Sequence, residues 1–231
     1  MLIYSDSNRP TDNTMQQRII TVVLLIGLFF GLATLASDMS TWRLPDRETG
    51  YSPAQPIDYS HRLHARELQI DCRFCHTAAD KSRHAGIPSS DTCMRCHKFV
   101  TSSFDVLQDE VKQAEKEKRK PDQPVSNELR KLYDSFGLDE LLKPKEGVKP
   151  TSIPWVRVHN LPDFVYFDHR AHVSVGVKCQ RCHGPIESME RVYQAETLSM
   201  GWCVNCHRDA TKNGIDGKAV HASTDCAICH Y

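Results

Sequence analysis

Ten cysteines and the histidines that follow them carry the chemistry legible in this chain of 231 residues. Cys72-Arg-Phe-Cys75-His76 is followed by Cys93-Met-Arg-Cys96-His97. Cys179-Gln-Arg-Cys182-His183, Cys203-Val-Asn-Cys206-His207 and Cys226-Ala-Ile-Cys229-His230 come later. Every cysteine falls in one of these five copies of Cys-x-x-Cys-His. The pattern suits covalent attachment of a c-type haem: two thiols add across the vinyl groups of one porphyrin, and the adjacent imidazole reaches the iron from the proximal side. A disulfide framework explains an even cysteine count but not the histidines. A zinc ribbon uses Cys-x-x-Cys pairs but needs no histidine after each. Histidine is 12 of 231 residues, so five such placements by chance have odds on the order of one in a few million. Five covalently bound c-type haems are expected, attached at these cysteines, with His76, His97, His183, His207 and His230 as proximal iron ligands.

A low-spin electron carrier needs a second axial ligand at each iron. Seven histidines lie outside the five motifs: His61, His64, His84, His159, His169, His172 and His221. Four stand out through a repeat. "YSHRLHARELQIDCRFCH" begins at Tyr59 and "FDHRAHVSVGVKCQRCH" at Phe167. Both read aromatic-x-His-Arg-x-His and then Cys-x-x-Cys-His, and a second Cys-x-x-Cys-His follows each. His61 and His64, like His169 and His172, are three apart, so one helical turn can aim such a pair at two neighbouring irons.

The elements that must position these groups are short. The soluble part lacks long apolar runs, and the mean hydropathy of the chain is −0.47. Large apolar macrocycles can supply buried surface that side chains do not. The expected fold is mostly irregular with short α-helices, a single N-terminal transmembrane helix and a multihaem cytochrome c domain of duplicated units. With 29 basic and 29 acidic residues the formal charge is zero, which argues against a nucleic-acid partner. Haem propionates make the holoprotein more acidic than its sequence.

Ile19 to Ala36, "IITVVLLIGLFFGLATLA", carries no charge. As a helix it is roughly 27 Å long, enough for a bilayer core. A cleaved signal peptide is the competing reading, with Thr34-Leu35-Ala36 as a small-residue cleavage site; retention as an anchor is expected. Arg9 and Arg18 precede the span and Arg43 and Arg47 follow it, so charge does not set its direction. The haems do, because c-type haem is attached outside the cytoplasmic membrane. The chain is thus expected in the bacterial inner membrane, single-pass, with its haem domain on the periplasmic side. The expected division is a cytoplasmic tail 1–18, an anchor 19–36, an extended tether 37–58, a two-haem unit 59–100, a charged helical linker 101–150 and a three-haem unit 151–231. Within the linker, Leu107, Val111 and Ala114 mark a surface helix. A second helix starts at the N-cap Ser126 and stops at Gly137, and "LKPKEGVKPTSIP" reads as a Pro/Gly/Lys connector.

The repeats resemble the small multihaem cytochromes of the class III and cytochrome c7 type. That resemblance implies that the first histidine of each pair binds the nearest following haem and the second the next one. His61 would face the haem of His76, His64 that of His97, His169 that of His183 and His172 that of His207. In the c7 pattern the last haem takes its sixth ligand from just before the preceding Cys-x-x-Cys-His. Met200 holds that position in "LSMGWCVNCH", with His159, His221 and His84 as competitors. Over nearly its whole length the chain resembles the pentahaem cytochrome c component of bacterial alternative complex III, through the N-terminal anchor, "HAGIPSSDTCMRCH", "VHNLPDFVYFDHRAH" and "LSMGWCVNCHR". This implies a subunit of a membrane quinol oxidoreductase. It would relay electrons from a quinol-oxidising partner towards a periplasmic cytochrome c or terminal oxidase. The implied partners are polytopic quinol-binding membrane subunits, a monohaem cytochrome c or terminal oxidase, and an iron–sulfur subunit. No catalytic site is expected in the chain itself.

Two rivals remain. A standalone membrane-anchored multihaem quinol dehydrogenase feeding a periplasmic reductase typically has methionine two residues after its first Cys-x-x-Cys-His. Here Thr77-Ala78 follow His76. Nitrite- or sulfite-reducing enzymes keep one haem open, often with lysine as proximal ligand, and no Cys-x-x-Cys-Lys occurs. The count of attached haems is testable directly: the intact mass after denaturation and acid–acetone extraction should retain five haem masses, and a smaller number or a zinc mass would refute the assignment.

Overall fold

A computed structural model describes residues 13–39 and 48–230, with side chains from Met15 to Ser37 in the first stretch. The greater part of the expected cytoplasmic tail, much of the tether with Pro45, and Arg9, Arg43 and Arg47 lie outside the described residues. Two compact units divide near Leu44.

The first unit is helix α1, Asn13–Met39. Its apolar stretch, Met15–Ser37, is long enough to cross a membrane, and its side chains are exposed along the whole length. The helix extends beyond the uncharged run at both ends, since Gln16, Gln17 and Arg18 are good helix formers. The two threonines of the uncharged run 19–36 are satisfied internally: Thr21 donates to the Gln17 carbonyl and Thr34 to that of Gly31, each at 2.9 Å. The length and composition of this helix suit a membrane anchor or a leader.

The second unit contains no strand among the described residues, only short helices, turns and isolated bridges. A single π-helical turn spans Arg62–Glu67. It is followed by α2 (Cys72–Cys75), α3 (Ser90–His97), α4 (Phe104–Glu117) and α5 (Asn127–Ser135). Then come α6 (His169–Ser174), α7 (Gln180–His183), a 3₁₀ turn at Ile186–Ser188, α8 (Met200–Asn213) and α9 (Cys226–Cys229). Such short helices need caps, because most of their amides have no partner within the helix. Asp71 accepts from the Arg73 amide at 2.8 Å, Asp168 from Arg170 at 2.9 Å and Asp225 from Ala227 at 3.1 Å. Ser199 caps α8 at Trp202 and Ser126 caps α5 at Leu129.

Backbone contacts fasten the two halves of the repeat together. The amides of His169 and Arg170 donate to the carbonyls of Arg83 and Ser82 at 3.1 and 3.3 Å. The Arg62 amide donates to Met189, and its guanidinium pairs with Glu190. Gly50 and Gln194 are joined by a 2.7 Å bond, and Gln55 bonds both amide and carbonyl of Val156. The Tyr166 amide donates to Cys229, which brings the last motif back beside the start of the second repeat.

Buried apolar side chains cluster where the sequence suggests a charged connection. Val125, Leu132 and Tyr133 form the centre, with Ile57, Met94, Leu129 and Ile153 packed on them. The Tyr133 hydroxyl donates to the His97 carbonyl at 2.5 Å, tying this core to the second motif. The helix expected from Leu107, Val111 and Ala114 is α4, and it buries Ala114 completely. Gly137 ends the following segment at φ +67°, a conformation open to glycine at little cost.

Leu132→Ala should destabilise the domain by about 2–5 kcal/mol. The denaturation midpoint of the full-length holoprotein in detergent reads this, and an unshifted midpoint would show that the 125–133 cluster holds nothing together.

Candidate haem-attachment and axial-ligand site

Each Cys-x-x-Cys pair sits on about one helical turn, so both thiols face one side. α2 and α9 consist of the Cys-x-x-Cys turn itself, and α7 begins one residue later. In α3 and α8 the pair lies inside a longer helix. All ten cysteines are free thiols, which sets the disulfide reading aside for this structure. Burial, with neighbouring cysteines adding to it, pushes up the pKa of Cys72, Cys75, Cys93 and Cys203, and of Cys182 to about 11. These couplings reveal which motifs are neighbours. Cys72 is within hydrogen-bonding reach of Cys179. Cys75 is close to Cys93 and Cys96, Cys182 to Cys203 and Cys206, and Cys203 to Cys229. The motifs therefore follow one another in space as second, first, third, fourth, fifth.

The paired histidines are held identically in the two repeats. Tyr59 stacks on His64 (centroids 4.4 Å apart, planes at 24°) and meets His61 edge-on (4.9 Å, 85°). Phe167 stacks on His172 (4.6 Å, 28°) and meets His169 edge-on (4.9 Å, 86°). One aromatic ring thus sets the planes of two imidazoles, which explains its place two residues before the pair. The Nδ1 of His64 bonds the Ser60 carbonyl at 2.9 Å, and that of His172 the Asp168 carbonyl at 2.8 Å.

Four further histidines use Nδ1 in the same way: His76 to Gly86 (2.6 Å), His97 to Val100 (2.9 Å), His169 to Arg83 (2.9 Å) and His207 to Ser223 (2.5 Å). A carbonyl oxygen only accepts, so Nδ1 carries the proton in each case. The lone pair is left on Nε2, where a metal can take it. His61 differs, its Nδ1 being buried without a hydrogen-bond partner. Burial, reinforced by neighbouring histidines, lowers the pKa of His61 to about 4 and that of His183 to about 3. Burial also lowers His64. The neutral form is the ligating one.

The ring separations test whether a haem iron fits. Two imidazoles on opposite sides of one metal, each bonded at about 2 Å, have centres roughly 6 Å apart. His64 and His97 are 6.0 Å apart, His169 and His183 6.3 Å, and His172 and His207 6.0 Å. His61 is electrostatically coupled to His76. These are the pairings that the resemblance implies. No group of three or more His, Cys, Asp or Glu side chains is gathered around a common point among the described residues. That suits two-histidine ligation with a macrocycle in the equatorial plane better than a protein-only zinc cage.

The fifth motif is different. The His230 ring lies 5.7 Å from Phe164, tilted by 31°, and Val165 bridges to His230. Met200 opens α8 and is 66% exposed, one turn before Cys203 and thus on the face that meets Cys229. His159 is engaged elsewhere, its Nε2 lying 3.2 Å from the Nδ1 of His183. His221 lines an open cavity with Arg208, Thr211 and Asp225, and His84 is exposed. Sequence reasoning gave no role to the His159–His183 contact or to the helix-capping aspartates. An Asp immediately before Cys72, His169 and Cys226 was the available signal for the caps.

Comparison with known proteins agrees with this chemistry. Residues 165–231 match the family described as cytochrome c7 and related cytochrome c. The multihaem cytochrome c subunit of menaquinone reductase from Nitratidesulfovibrio vulgaris (strain Hildenborough) is 25% identical over 230 residues, 90% of this chain and 87% of that protein. Residues 165–231 thus carry a cytochrome c7-like domain, and the repeated motifs together with both comparisons mark multihaem cytochrome c chemistry fitted to electron transport.

Replacing His64 or His169 with glycine should turn one haem high-spin while it stays attached, because the thioethers are untouched and only the axial field is lost. Added imidazole should restore the low-spin spectrum. Fully low-spin spectra in both variants would remove these residues from the ligand set.

Proposed function

We propose that the chain is the electron relay of a membrane quinone-linked oxidoreductase of the alternative complex III kind. In this reading the five cysteine pairs attach five haems, and His76, His97, His183, His207 and His230 are the proximal ligands. His61, His64, His169 and His172 are the distal ligands of the first four, and Met200 is that of the fifth. Bound haem supplies a one-electron iron couple. With these residues as ligands each iron would be saturated, which suits electron transfer and would leave no open position for a substrate. The observation that carries the proposal is the unbroken spatial run of motifs from second through first, third and fourth to fifth. The run offers two ends for partners: the 93–97 motif beside the 125–133 core, and the 226–230 motif.

Helix α1 is assigned as a single-pass anchor with the domain after it on the periplasmic side. One helix cannot enclose a quinol head group, because a pocket needs several walls and convergent polar groups. Both threonine hydroxyls of the 19–36 run are bonded to the backbone of α1, and that run holds no ionisable residue to take a quinol proton. The quinone chemistry therefore belongs to polytopic neighbours. A monohaem cytochrome c or terminal oxidase and an iron–sulfur subunit complete the path. The similarity to a menaquinone reductase component supports the quinone link. It also favours a second reading in which the same relay runs the other way, from a periplasmic donor into the quinone pool. The ligand set is compatible with either direction.

Purified by itself in detergent and mixed with a reduced quinol analogue, the holoprotein should be reduced slowly or not at all, and the partner proteins should restore the rate. Fast, stoichiometric reduction of the isolated holoprotein would overturn the relay assignment and favour a standalone quinol dehydrogenase. Oxidation of the reduced complex by quinone, faster than its reduction by quinol, would select the reverse direction.

A further inference from the structure

His183 differs from the other motif histidines whose Nδ1 partner is known. His76, His97 and His207 are each braced by a backbone carbonyl, as are His64, His169 and His172. The Nδ1 of His183 instead meets the Nε2 of His159 at 3.2 Å. The two rings are 4.3 Å apart and cross at 74°, an edge-on approach that points the nitrogen of one ring at the other. On its opposite side His183 faces His169 across 6.3 Å, the planes only 14° from parallel. His159 thus stands directly behind a proximal imidazole, outside the gap that would hold the iron.

We infer that His159 is a positioning residue for the third haem, accepting the Nδ1–H of His183 and strengthening the electron donation of that ligand. The inference rests on the proposed attachment of this haem at Cys179 and Cys182 with His183 as ligand. The proton direction follows from the geometry. If Nε2 of His183 binds iron, its Nδ1 must carry the proton, and the Nε2 of His159 must accept it. An imidazole nitrogen is a stronger base than an amide oxygen, so it draws the shared proton further from His183. The ligand becomes more basic, and ferric iron is favoured over ferrous. The third haem lies at the join between the two repeats, since Cys72 is within hydrogen-bonding reach of Cys179. A lowered potential at that point sets a step in the middle of the relay. It separates a two-motif end from a two-motif end, with the first and second motifs on one side and the fourth and fifth on the other.

The test uses the full-length holoprotein in detergent with two substitutions. His159→Phe keeps a ring of similar size and removes the acceptor, whereas His159→Gln offers a side-chain oxygen in its place. Haem number by intact mass checks the attachment reading separately. A missing haem in the unsubstituted protein would count against that reading and not against the role of His159. In His159→Phe, one midpoint in a redox titration should rise, and one low-spin ferric electron-paramagnetic-resonance signal should move to a larger maximum g value, the others staying in place. His159→Gln should lie close to the unsubstituted protein in both. Unchanged midpoints and g values in His159→Phe would overturn the inference. A new high-spin signal would also overturn it, because His159 would then itself be an iron ligand. If His159→Phe does not accumulate, His159→Asn, too short to reach His183, carries the same expectations and the same refutations.

Discussion

The hydrogen bond from an imidazole Nδ1 to a fixed acceptor behind it is the constraint on which the rest of this structure depends. A haem ligand must present Nε2 in the right plane and with its lone pair free, and a histidine on a loop does neither unaided. Six histidines meet the requirement with a backbone carbonyl; for His64, His97 and His172 it lies within one turn, and for the other three it comes from another segment. Gly86 serves His76, Arg83 serves His169 and Ser223 serves His207. Irregular segments that look like connections are thereby obliged to run where they run. The loop 82–86 is held because it supplies acceptors to both repeats.

The scarcity of conventional core is a consequence rather than a defect. Outside α1 the described residues bury few large side chains, and the packed cluster around Leu132 and Tyr133 is small. Haem macrocycles are large apolar bodies, and a chain that wraps them can do without long amphipathic elements. The cluster that does exist matters through one bond, the Tyr133 hydroxyl on the His97 carbonyl. It sets the second motif against a rigid body at one end of the run. At the junction of the repeats the burden falls on backbone bonds between 82–83 and 169–170, and on the stacking of Arg83 over Tyr166 at 4.4 Å.

The duplicated unit shows how little sequence such a device requires. An aromatic residue, two histidines three apart and a capping side chain reproduce the same ring geometry twice, although one copy uses a π-helical turn and the other an α-helical one. The planes agree within a few degrees because the aromatic ring decides them, and the helix type only has to deliver the histidines to it. Capping by Asp71, Asp168 and Asp225 lets turns of four to six residues hold their shape without the length that isolated helices need.

The multihaem character and the matched geometry of the two histidine pairs were legible in the sequence, because cysteine spacing and a repeat are local properties. So were the apolar N-terminal helix and the helix that starts at Ser126 and stops at Gly137, through hydrophobic run length, an N-cap and a glycine at positive φ. The neighbour order of the motifs was not legible. The first and third lie side by side through contacts between residues about a hundred positions apart, and no local pattern encodes which motif meets which. The packed cluster within the charged 101–150 stretch was hidden for a similar reason: part of the packing on Val125, Leu132 and Tyr133 comes from Ile57, Met94 and Ile153, outside that stretch. His159 looked like a spare ligand in the sequence. Only folding could put it behind His183, since one side chain's partner is settled by where two distant segments of chain come to lie.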